Sequence, residues 1–155
     1  MPRFRFRLQT VLDHRDRIER DKKRLLALAQ RALNEAEKRL AEMRADYERT
    51  GEELRVKHAE LDAMELYNYY AHMDYVLRGI REVEVQVTAL ALEVEHAKVA
   101  LLMARRDKKI LETLKERRRE TFENEQAATE QKLIDDLNSR RHGRESNALG
   151  GTSSW

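Results

Sequence analysis

The chain has no cysteine, one proline (Pro2) and five glycines in 155 residues. Without cysteine there is no disulfide, no thiol catalysis and no cysteine-bearing metal site, which fits a reducing compartment. With so little proline and glycine, few positions oblige a helix to stop. No apolar run approaches the ~20 residues that a membrane span requires. The basic start, Met1–Arg7, lacks the apolar stretch of a signal peptide, so a cytosolic protein is expected. The apolar content of 41% covers a seam along a rod but is thin for a wide globular core. What is abundant is charge, at 39% of residues with a net of only +2. Such enrichment in Ala, Glu, Lys, Leu and Arg is the composition of long helices and coiled coils.

Periodicity turns that composition into a fold. Between Phe6 and Ser139, apolar or small residues recur at alternating spacings of three and four, the pattern of a coiled-coil face. The first arm reads Leu8, Val11, Ile18, Leu25, Ala29, Ala32, Ala36, Leu40, Met43, Tyr47, Leu54. Arg15 and Lys22 interrupt it, and the step from Ala36 to Leu40 reads as a stutter. The second arm reads Met73, Val76, Ile80, Val83, Val87, Leu90, Val94, Ala97, Leu101, Ala104, then Leu111 after Lys108. One unbroken helix of this length would span roughly 200 Å, so a break near the middle is expected. Asp62 and Glu65 supply a capping-box-like pair, which puts the turn at about 57–62. Tyr67–Tyr70 is the second choice, and Gly51 is expected to loosen the end of the first arm. The expected fold is therefore all-α, two long helices forming an antiparallel coiled-coil hairpin over residues 1–138. Arm 1 covers about 6–57 and arm 2 about 62–138. From Ser139 the pattern lapses and Gly and Ser appear, so 139–155 is expected to be a disordered tail.

Charge is distributed unevenly. Met1–Arg24 carries nine Lys/Arg against four Asp/Glu, and Arg105–Arg119 carries eight against three. Glu35–Glu65 carries six basic residues against ten acidic ones, and Glu120–Asp136 one against six. An antiparallel hairpin sets the two basic segments side by side at its open end, where their charges add. Two readings follow. Either the band is a solvated face that Glu120–Asp136 folds back to neutralise, or it awaits an acidic partner.

Little else carries chemistry. The five histidines (His14, His58, His72, His96, His142) include no pair at i, i+3 or i+4 spacing, and no organised carboxylate cluster accompanies them. No metal and no cofactor is expected. There is no GxxxxGK[ST] and no GxGxxG to cradle phosphates. A two-stranded coiled coil offers no pocket for catalysis, so the chain reads as a non-enzyme. Tyr67, Tyr69, Tyr70 and Tyr75 either pack round the turn or form a recognition patch there. Phe4 and Phe6, flanked by Arg3, Arg5 and Arg7, form either an exposed sticky arm or a cap on the open end. Nucleic acid is not an expected partner, because no motif accompanies the basic band and the acidic segments repel phosphate.

Two of these stretches carry a family likeness. Phe4–Glu19 (FRFRLQTVLDHRDRIE) resembles the opening of the flagellar FliJ family. Arg105–Gln126 (RRDKKILETLKERRRETFENEQ), followed by Lys132–Asp136, resembles that family's C-terminal signature. The two appear in order and at suitable separation across nearly the whole chain. The resemblance implies an antiparallel helical hairpin of the cytoplasmic flagellar export apparatus, similar in shape to the central stalk of rotary ATPases. Its open end would sit in the ring of the flagellar export ATPase and promote assembly and activity. Another surface would contact the cytoplasmic domain of the export gate protein, and export chaperones are further partners. Membrane association would come only through these partners.

On that resemblance, Arg15, Arg17, Arg105, Arg106, Lys108, Lys109 and Arg117 are the candidate ATPase contacts. Candidate gate contacts are Met43 and Tyr47 on the first arm and His72, Val76 and Gly79 on the second. His72 stands where the family's pattern leads one to expect an aromatic residue, and Val76 also belongs to the expected seam. The alternatives are a coiled-coil adaptor of another complex and the analogous stalk of a virulence secretion system.

Overall fold

A computed structural model describes residues 2–149. It holds two α-helices, α1 (Gln9–Lys57) and α2 (Ala63–Leu149), separated by a single 3-10 turn at His58–Glu60. The fold is all-α, with no strand among the described residues. Between the helices Leu61 is extended, with φ −87° and ψ 141°. The Glu65 amide then donates to Asp62 Oδ1 at 2.8 Å while the Asp62 amide donates to Glu65 Oε2 at 3.0 Å. This reciprocal pair satisfies two amides that the first turn of α2 would otherwise leave without acceptors. The chain divides into two units, His14–Asp107 and the pair Met1–Asp13 with Lys108–Trp155.

In the unit His14–Asp107 the helices run antiparallel. Arg44 pairs with Glu84 at 2.9 Å, Glu19 with Arg105 at 3.5 Å and Arg15 with Asp107 at 3.5 Å, so the α2 number rises as the α1 number falls. Leu40, Val76 and Ile80 are its buried centre, with Met43, Tyr47, Val83 and Val87 packed against them. On α2 the least exposed side chains follow the expected ladder, through Val94, Leu101 and Ala104 at 3%, 5% and 6% exposure.

On α1 the observed seam corrects the expected one. Leu33 is 9% exposed and Leu54 7%, while Leu25 is 48% exposed. A continuous ladder of buried or half-buried positions runs through Arg15, Glu19, Lys22, Leu26, Ala29, Leu33, Ala36, Leu40, Met43, Tyr47, Thr50 and Leu54. Their spacing alternates between three and four without a fault, so there is no stutter at Ala36. Arg15 and Lys22 do not interrupt the seam; they are members of it. The expected line through Ile18, Leu25 and Ala32 lies one residue earlier, about 100° round the helix, where it widens the apolar flank.

Two glycines serve close approach. A Cβ on Gly79 would come 2.5 Å from Met43 Cε, and one on Gly51 would come 3.3 Å from Met73 Cε. Gly51 therefore does not loosen the end of α1, which stays helical to Lys57.

In the unit Met1–Asp13 with Lys108–Trp155, the chain enters as a non-helical segment and α1 begins at Gln9, whose amide donates to the Phe6 carbonyl at 3.1 Å. Phe6 and Leu12 are 6% and 8% exposed. The Phe4 ring lies 5.8 Å from that of Phe122, tilted by 49°. The Arg118 guanidinium stands 6.0 Å from the Phe6 ring centre, within reach of its π face. These rings pack on α2, which settles the question of a sticky arm: they are a cap.

Helix α2 runs to Leu149 without a break. Glu120–Asp136 therefore continues the helix and does not fold back on the basic band. Residues 139–149, expected to be disordered, are helical, with Arg141 and Glu145 one turn apart at 3.7 Å and Ser146 Oγ donating to the Gly143 carbonyl at 3.4 Å. Residues 150–155 of the expected tail lie outside the described residues.

Candidate functional site

The basic residues read from the sequence fall in both units, and local acids answer many of them. In His14–Asp107, Arg15 meets Asp107 at 3.5 Å and Arg106 meets the same carboxylate at 3.9 Å. Arg105 reaches Glu19 at 3.5 Å, and Lys23 lies 3.9 Å from the same oxygen. The Glu19 side chain is only 12% exposed, so its charge sits under those cations instead of facing bulk water. Arg17 is exposed on the outer side of α1.

In the other unit, Lys108 is a half-buried seam residue, 3.7 Å from Glu112. Arg119 bonds Glu123 at 2.9 Å, which raises its pKa above the ordinary arginine value. Lys109 and Arg117 are exposed and pair with no carboxylate among the described residues. Lys115 donates to Gln9 Oε1 at 2.8 Å. That bond closes one side of a shallow concavity of about 750 Å³ lined by Phe4, Arg5, Phe6, Arg7, Gln9, Thr10 and Lys115. The first turn of α1 carries no acid, and no ion pair among the described residues engages Arg5 or Arg7. Sequence reasoning missed these two as candidates and missed Glu19 as the acid that tempers Arg105. The place of Glu19 in the seam was legible in principle, since it stands on the three-four ladder between Arg15 and Lys22, but its pairing with Arg105 was not.

The five candidate gate residues all lie in His14–Asp107 and largely in its packing. Val76 is 6% exposed and belongs to the buried centre, against which Met43 and Tyr47 pack. Gly79 lies beneath Met43 Cε. His72 is exposed, with Nε2 3.5 Å from Asp46 Oδ2. Asp46 also accepts from Arg49 at 3.0 Å, and that hydrogen bond, ahead of the charge of His72, holds its carboxyl below the usual carboxylate range. What this stretch offers outward is His72, Asp46 and the half-buried edges of Tyr47 and Met43. Around the turn, Tyr67, Tyr70 and Tyr75 are 68%, 57% and 74% exposed, while Tyr69 is half-buried.

Long paired helices whose polar side chains are spent on ion pairs and surface charge define a helical scaffold. No described helix is long and apolar enough to cross a membrane. The model of the family described as "Flagellar FliJ protein" matches residues 4–147, and the chain belongs to that family. It is thereby placed among the components of type III protein export. A solved YscO homolog, CT670 from Chlamydia trachomatis, aligns with 23% identity over 94% of this chain and 99% of its own, at a TM-score of 0.44. No curated protein matches the sequence.

Proposed function

We propose that this chain is the stalk and general chaperone of a flagellar export apparatus, working in the cytoplasm at the inner face of the membrane. It binds the export ATPase ring through basic side chains and couples it to the cytoplasmic domain of the export gate, with export chaperones as further partners. The observation that carries this reading is the set of basic side chains in Met1–Asp13 and Lys108–Arg119 that no ion pair among the described residues engages. Arg5, Arg7, Lys109 and Arg117 are exposed and unpaired among the described residues. A surplus of one sign attracts a partner of the other and quickens association. The flagellar reading, as against a virulence system, is supported by the family matched.

The seven candidate cations are not equal on this reading. Arg15 and Arg105 tie the helices together through Asp107 and Glu19, Arg106 and Lys108 meet acids on their own helix, and Lys109 and Arg117 are available. The gate contact is assigned to His72 and Tyr47 with Met43, while Val76 and Gly79 support them from beneath. The test is titration of the full chain into its export ATPase, reading ring formation and hydrolysis rate. The wild type raises both, and Lys109→Glu with Arg117→Glu abolishes most of the effect at unchanged helicity. No response to the wild-type chain would sink the proposal. A full response to the double variant would remove these two cations from it.

A further inference from the structure

Helix α2 carries a second three-four ladder on the side away from its seam. Val85, Ala89, Leu92, His96, Val99 and Met103 are spaced four, three, four, three, four, and all are exposed. Val85, Leu92, Val99 and Met103 are 70%, 58%, 54% and 52% exposed, with Leu102 beside them at 63%. The seam of this stretch runs through Val83, Val87, Leu90, Val94, Ala97 and Leu101, so these residues lie on the opposite side of the helix.

The equivalent outward ladder of α1 provides the contrast. It reads Arg17, Asp21, Arg24, Leu28, Arg31, Glu35 and Lys38, charged at all but one position. In a chain that is 39% charged, six consecutive outward ladder positions without a formal charge set this stretch apart. Solubility alone favours the α1 pattern, because a contiguous apolar strip in water marks a surface that something covers. Its spacing specifies what: side chains at alternating three and four accept the knobs of one α-helix.

The borders of the strip choose between occupants. Between residues 85 and 103 the two positions flanking the ladder are filled by Gln86, Glu93 and Ala100 on one side and Thr88, Glu95 and Leu102 on the other. The charges there are two carboxylates, one on each side and both near the middle; Glu95 is already held by Lys98 at 3.1 Å, and no ion pair among the described residues engages Glu93. A second copy laid antiparallel about the strip's midpoint would set Glu93 against Glu93 and Glu95 against Glu95, like charges across a symmetric contact. A helix with lysine or arginine beside its apolar ladder meets the open carboxylate of Glu93 favourably.

We propose that the outer face of α2 from Val85 to Met103 is a docking site for one amphipathic α-helix of another protein, with an apolar three-four ladder and basic flanks. At 1.5 Å per residue the strip is roughly 27 Å long, about five turns, the length of an ordinary helix. It is independent of the ATPase reading, since a chain that ignored the ATPase would still present this face.

The test uses the full chain and two labelled synthetic peptides of three heptads each. Both carry leucine on the ladder; one has lysine and the other glutamate at the flanking positions. By fluorescence anisotropy at physiological salt, the lysine peptide binds saturably and at least about tenfold more tightly than the glutamate peptide. Leu92→Gln with Val99→Gln weakens it by at least about tenfold, because two apolar contacts are lost from an exposed face. Helicity measured by circular dichroism stays unchanged. Glu93→Lys with Glu95→Lys inverts the preference between the peptides. Three results would overturn the proposal: no binding of either peptide, equal binding to the Leu92→Gln, Val99→Gln chain, or self-association of the wild type that this variant abolishes. The last would assign the face to a second copy.

Discussion

The seam of His14–Asp107 is one continuous ladder with two fillings. Around Leu40, Met43 and Tyr47 it meets Val76, Ile80 and Val83 and is apolar. Around Arg15, Glu19 and Lys22 it is charged and meets Arg105 and Asp107 through ion pairs. The spacing is the same; the physics is not. Apolar contacts exclude water and supply most of the free energy, but they tolerate sliding. Ion pairs with this much exposure contribute about 0–1 kcal/mol each, yet they penalise a register that leaves Glu19 without a cation. The difference teaches that one part of the seam holds the helices and the other aligns them.

Four substitutions probe that division. Leu40→Ala removes a side chain that is 8% exposed from the centre of the apolar part. It should cost about 2–3 kcal/mol, read as a fall in the urea midpoint at unchanged slope. A cost under about 1 kcal/mol would mean that this part does not hold the unit. Gly79→Leu comes next. Its Cβ would stand 2.5 Å from Met43 Cε, a flexible end that can swing aside, but the rest of the leucine must fit the same space. Overpacking of this kind costs about 1–3 kcal/mol, offset in part by about 1 kcal/mol of helix propensity. Adding Met43→Ala should restore most of the loss, and an unrelieved double variant would show that the strain lies elsewhere.

The charged part should behave in the opposite sense. Replacing Arg15, Glu19 and Lys22 together with their partners Arg105 and Asp107 by leucine should raise stability by about 1–2 kcal/mol, since apolar side chains in a seam commonly outdo whole ion pairs. Thermal melting checks it, and a lowered midpoint would mean that the ion pairs stabilise as well as align. The smallest effect concerns pH. Hydrogen bonding from Arg49 keeps the Asp46 pKa below its ordinary value in the fold. The folded state therefore binds that proton less readily than the unfolded chain. The contribution is present above the ordinary carboxylate range and is lost as pH falls through the lowered value. Asp46→Asn should flatten the acid side of the stability profile slightly, and an unchanged profile would dismiss the group.

Much of this was legible in the residues. Helix α2 shows its ladder openly, because nearly every seam position from Met73 to Ala104 is apolar or small. The Asp62 and Glu65 pair announced the start of that helix. The first part of α1 misled, because Ile18, Leu25 and Ala32 form a tidy apolar line beside a true ladder that passes through charged residues. Following the spacing backward from Leu54, without allowing a stutter, would have found it. The partners of the basic residues were beyond reach, since Glu19 beneath Arg105 and Phe6 beneath Arg118 depend on how the two helices meet.

The short break between α1 and α2 has a kinetic consequence for His14–Asp107. Loop-closure entropy grows with the length of chain enclosed, so contacts nearest Lys57–Ala63 are the first that diffusion can make. The apolar part of the seam lies on that side, and the ion pairs of Arg15 and Glu19 enclose almost the whole unit. The helices should therefore zip from the turn outward, binding first and checking alignment last. Leu40→Ala then slows folding, whereas Glu19→Gln acts on the unfolding rate alone, and stopped-flow measurements of the two variants separate these steps.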